Sequence, residues 1–203
     1  MRTSLTLSRV TAPAVLTAAV LGASLLSPAP ALAAKAKPDL PEVRTGVTLE
    51  VTGEWSGRMA FGTHTSGTAR AQRPMPLEML LSRTVCDMTG CMTTEIVVDP
   101  SAAVPGVARI ASGLTSAALD RASVSVTVRR IMNGAVVAEH PATVTLQVRA
   151  QRSGAVIKRT TLTQGPDGEV LTVSRIATVR ASVLLGDDTL AATGEITRTQ
   201  IVD

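Results

Sequence analysis

From Gly46 onward, apolar and polar residues alternate one by one along much of the chain. Val47, Leu49 and Val51 are interleaved with Thr48, Glu50 and Thr52, which places aliphatic side chains on one face of a strand and polar ones on the other. Met59, Phe61 and Thr63 predict a second strand. Leu77, Met79, Leu81 and Val85 predict a third, returning through Asp87-Met88-Thr89-Gly90 as Met92 to Val98. Asp99-Pro100 is expected to stop that hairpin, and 101–106 reads as a loop. Val107 to Leu119 fits no single pattern. Ala122, Val124, Val126 and Val128 then alternate with Ser123, Ser125, Thr127 and Arg129 as far as Asn133-Gly134, the pair best suited to a type I′ hairpin turn.

Ala135 to Glu139 is the predicted return strand. Further strands are expected at Val144 to Val148, Val156 to Leu162, Val170 to Val173, Val179 to Leu184 and Leu190 to Thr199. Ser153-Gly154, Gly165-Pro166-Asp167-Gly168 and Gly186-Asp187-Asp188 supply the turn residues between them. This amounts to roughly nine to eleven strands, with no segment holding a helical period. The expected fold is all-β, an antiparallel β-sandwich, with a closed β-barrel as the alternative.

The first residues break the pattern. Arg2 and Arg9 accompany an apolar stretch, Ala12 to Leu26, interrupted by Thr17, Gly22 and Ser24, and Pro28 and Pro30 lead into Ala31-Leu32-Ala33. A basic start, an apolar run too broken to span a bilayer and small residues at its end read as a secretory signal peptide cut after Ala33. The expected organisation is a signal peptide over 1–33, a flexible lead-in over 34–45 and a single β domain over 46–203. The mature chain is then secreted, released or loosely associated with a cell wall, without a membrane span.

Export changes how the charge and the cysteines are read. With Arg2 and Arg9 removed, 18 basic residues face 16 acidic ones, a formal charge of +2. Arginines are spread along the sequence, with Arg129-Arg130 the only two that are adjacent. That distribution suggests solubility rather than a nucleic-acid partner. Cys86 and Cys91, the only cysteines, flank the Asp87 to Gly90 turn. In an oxidising compartment they are expected to form a disulfide across directly opposed strand positions. Such a staple fixes hairpin register and contributes about 2 kcal/mol in the chain-entropy model.

Candidate chemistry is sparse. Met75, Met79, Met88 and Met92 lie around this hairpin, with Met59 and His64 upstream. Thioether and imidazole together suit Cu(I), which makes a copper-binding carrier one alternative function. Methionine beside Leu77 and Leu81 equally fits a core filler, and neither a metal site nor another cofactor is the primary expectation. His64 and His140 are the only imidazoles, so a small exported hydrolase using one of them is a second alternative. No G-x-S-x-G motif accompanies them. Asp167, Glu169, Asp187 and Asp188 lack the ligand spacing of a calcium loop and belong to turns for their own hydrogen-bonding reasons.

Trp55 and Phe61 are the only aromatic residues, too few for a sugar- or base-stacking platform, and Trp55 is expected in the core. The sequence thus predicts a secreted, non-catalytic β-sandwich protein with an extracellular binding or structural role. Its expected partner is a protein or cell-wall component, and no catalytic residue is assigned.

Overall fold

A computed structural model describes residues 41–66, 72–98, 108–165 and 168–202. The expected signal peptide, the Asp99-Pro100 stop with its loop, and Pro166-Asp167 lie outside the described residues. The alternating stretches form nine strands: β1 (Val43–Val51), β2 (Ser56–Thr65), β3 (Arg73–Asp87), β4 (Gly90–Val98), β5 (Ala108–Ile110), β6 (Ser116–Met132), β7 (Ala135–Gly165), β8 (Gly168–Leu185) and β9 (Asp188–Val202). β1 begins ahead of the expected start at Gly46 and takes in Arg44. The ambiguous segment after Val107 resolves into β5, a turn and the start of β6.

All nine strands belong to one antiparallel sheet in the order β4-β3-β2-β1-β9-β8-β7-β6-β5. β4 also pairs with β6, from Met92 opposite Met132 to Val98 opposite Val126. The sheet therefore curls back on itself, and opposing stretches of one sheet supply the packed faces expected of a sandwich. It is not a clean barrel. β4 covers β3 only from Leu80 onward, which leaves Arg73 to Met79 paired to β2 alone among the described residues. Pro74 and Pro76 lie in that stretch, and a proline has no N–H to donate to a further strand.

The inner face carries one hydrophobic core, including Leu49, Met59, Leu81, Leu146, Val148 and Ile196. Trp55 is buried with it, in the link between β1 and β2, and its Nε1 donates to Asp188 Oδ2 at 3.2 Å. Gly194 lets β9 approach β1. A Cβ there would lie 2.0 Å from the Thr48 carbonyl oxygen, so even alanine forces backbone apart.

The turn residues divide into two groups. Asn133 and Gly134 both take positive φ, 51° and 79°, as a type I′ turn requires. Ser153-Gly154, expected as a turn, instead belongs to a bulge within a continuous β7: the register with β8 shifts between Arg152 and Val156. Likewise Val170 to Val173 and Val179 to Leu184 are parts of one strand, β8. Fewer, longer strands result. β6 accompanies β7 only as far as Gln151, beyond which β7 and β8 continue together to Gly165 and Gly168. These outer halves, flanked by the end of β9, form an arm.

Candidate functional site

The sequence-predicted residues do not converge on a common centre. Cys86 and Cys91 are directly opposed on β3 and β4 and joined by a disulfide, with Cα atoms 4.0 Å apart. Below it, Val85, Met92 and Met132 follow one another across β3, β4 and β6. Met88, at the hairpin tip, is fully exposed, and Met79 is buried in the core opposite Met59. Met75 lies farther along β3, opposite Gly62. The candidates for soft-metal ligation are thus divided among a hairpin tip, the core and the far part of β3.

His64 and Met75 do share a shallow recess of about 270 Å³ with Arg44, Arg73, Pro74 and Pro76. His64 Nε2 is 2.9 Å from Glu42 Oε1, and the same oxygen accepts a 2.6 Å hydrogen bond from Arg44 Nε. Arg44's hydrogen bond holds the Glu42 carboxyl below its usual range; partial desolvation opposes this, and the His64 hydrogen bond adds to it. No hydroxyl hydrogen-bonds to His64 among the described residues. His140 is exposed on β7 opposite Val128. Asp187 and Asp188 lie at the opposite end of β8 from Glu169, so these carboxylates cannot enclose one cation. Asp188 instead receives the Trp55 indole N–H.

What the fold does gather is positive charge. Between Arg149 and Arg180 the chain carries six cations, Arg149, Arg152, Lys158, Arg159, Arg175 and Arg180, against two carboxylates, Asp167 and Glu169. That segment's formal charge is +4. The expected mature chain totals +2, so the remainder is −2. The four on β7 and the two on β8 come together because these strands are long partners.

Register sharpens the arrangement. Lys158 on β7 is opposite Arg175 on β8, which is opposite Arg198 on β9. The row continues into Thr45 on β1 and Thr63 on β2, both buried. Directly opposed residues share a face. This is the inner face, because Thr45 alternates with the outward Arg44 and Gly46 and precedes Val47 in the core. Like charges so placed repel by about 1 kcal/mol or less per neighbouring pair in water.

Ion pairs among the described residues engage Arg44, Arg58, Arg83, Arg109 and Arg129, but none of the three cations in this row. At its inner end Arg198 Nη1 donates to the Ser112 carbonyl at 3.5 Å. Arg198 also borders a recess of about 170 Å³ lined by Thr45, Thr65, Gln72 and Ser112 together with Val43, Ile110 and Ala111. Hydroxyls, an amide and a guanidinium therefore line it beside the three apolar residues, with no carboxylate among the described residues. The recess is smaller than the roughly 300 Å³ typical of drug-sized ligands and suits one small polar group.

Individual residues did not disclose this feature. The available signal was the excess of Arg and Lys between Arg149 and Arg180, but its meaning depends on which strands pair. Comparison with known proteins finds no matching family model, no matching curated protein and no matching solved structure.

Proposed function

We propose that the chain is an exported, non-catalytic binding protein whose β domain presents a cationic arm to an anionic partner outside the cytoplasm. The observation carrying this reading is the +4 charge between Arg149 and Arg180, the arm together with its base where Arg149 still pairs with β6, set on a molecule whose remaining mature sequence totals −2. Such separation orients a protein toward an anionic surface through a field that a net charge near zero would not suggest. Support for export comes from the signal-like first residues and from a disulfide suited to an oxidising compartment. The non-catalytic reading rests on two observations: both thiols are consumed in that disulfide, and no hydroxyl hydrogen-bonds to His64 among the described residues.

The test is fractionation of the producing cells at increasing ionic strength. Wild-type protein should remain with the surface fraction at low salt and be released as salt screens the attraction. A variant carrying Arg152→Gln, Arg175→Gln and Arg180→Gln should enter the medium even at low salt. Equal partitioning of wild type and variant would exclude the arm as the binding element, and retention of both inside the cell would exclude export.

A further inference from the structure

Resting on the cationic-arm reading, we infer that Lys158, Arg175 and Arg198 form a seat for a ligand bearing several phosphoryl groups in a line. Three neighbouring strands present these cations in direct register on one face. No carboxylate pairs with any of them among the described residues. Antiparallel partners repel when both are cationic, so an added anion between them replaces repulsion with attraction. Two of the three are arginines, whose planar donor forks match phosphoryl oxygens in pairs; lysine contributes a point charge at the outer end.

Direction distinguishes this seat from an added β-strand. The row crosses β7, β8 and β9, with successive positions about 4.8 Å apart. Its occupant therefore lies across the strands, with more than one anionic group along about 10 Å. A single phosphate can engage only one neighbouring pair. The row ends at Arg198 beside the recess containing Thr45, Thr65, Gln72 and Ser112, which supplies neutral donors for the terminal group. On the opposite face of the arm, Arg159 is opposite Ser174 and Ser174 opposite Thr199. That row has one cation where the inner-face row has three.

The experiment uses the oxidised mature chain, beginning at Ala34, in calorimetric titrations at low salt with inorganic phosphate, pyrophosphate and tripolyphosphate. Affinity should rise along that series. Arg175→Gln should lower tripolyphosphate affinity by about tenfold or more, the scale of losing a hydrogen bond between charged groups. Arg159→Gln, which removes the same charge from the other face, should cost no more than about threefold, as a longer-range electrostatic change. Without ligand, the Tm of Arg175→Gln should equal or exceed that of wild type, because its repulsion with both neighbours has gone.

Equal losses from Arg175→Gln and Arg159→Gln would overturn the seat while leaving the cationic arm intact. Absence of binding to all three anions would overturn the seat, while salt-dependent release from the cell surface tests the arm separately. Sedimentation with phosphatidylglycerol vesicles identifies the source of the phosphoryl groups. Arg175-dependent sedimentation supports a lipid headgroup; tripolyphosphate binding without vesicle binding supports a soluble or wall-borne chain. Tighter, Arg175-dependent binding of single-stranded DNA than of tripolyphosphate would assign the row of phosphoryl groups to nucleic acid and refute both a lipid and a wall-borne source.

Discussion

Glu42 bridges two side chains that are direct cross-strand partners on the outer face, Arg44 and His64. Its carboxyl is held below its ordinary range chiefly by Arg44. The sign follows from linkage: a depressed carboxylate contributes stability above its unfolded pKa and loses it as pH falls through the folded value. Glu42→Gln should therefore lower the Tm near neutral pH by less than about 1 kcal/mol equivalent, since exposed pairs are screened. The two Tm values should converge in acid, where wild-type Glu42 is protonated; a difference undiminished there would refute the ion-pair account. His64 was recognisable as a candidate because it is one of two histidines, but its carboxylate lay in the expected lead-in. Trp55 was more legible: the chain's only tryptophan, it reaches the core as its rarity and apolar area suggested.

At the scale of elements, the β3–β4 hairpin was readable because each local signal agreed. Alternation placed Leu77, Met79 and Leu81 inward, and Asp87 accepts hydrogen bonds from the Thr89 N–H and hydroxyl in the turn. Cys86 and Cys91 close the strands beneath it. Replacing both cysteines by alanine should lower stability by about 2 kcal/mol, measured by denaturant unfolding of oxidised wild type and variant. Reduced wild type should match the variant; a gap between them would assign the loss to side-chain packing. The arm was less legible because Ser153-Gly154 has the composition of a turn but forms a bulge, and the two differ only in whether the chain reverses. Pairing with β8 over both flanks decides it. Pro74 and Pro76 were similarly silent until the partial cover of β3 by β4 gave their missing donors a consequence.

For the whole molecule, curling the sheet conceals most strand edges but leaves the arm's outer side open. From Ser153 to Gln164 no strand lies against the side of β7 away from β8 among the described residues, and nearly every side chain there is exposed. Ile157 and Leu162 are respectively 62% and 58% exposed, so this edge has both main-chain groups and apolar side chains available for pairing. Lys158 and Arg159 oppose that outcome. Being adjacent, they place a cation on each face, and a second β7 would bring its own cations against them. Lys158→Thr with Arg159→Thr retains strand propensity while removing both charges, and should promote self-association measurable by sedimentation velocity at concentrations where wild type associates less. Raising salt should narrow the difference by screening the wild-type repulsion. The control is Arg121→Thr, on an exposed position of β6, which changes net charge without altering this edge. Greater association of the control, or none in the double variant while its circular dichroism remains native, would mean that these cations do not guard β7. Loss of anion binding without a change in association would instead separate ligand recognition from edge protection, two demands that the same arm meets with neighbouring residues.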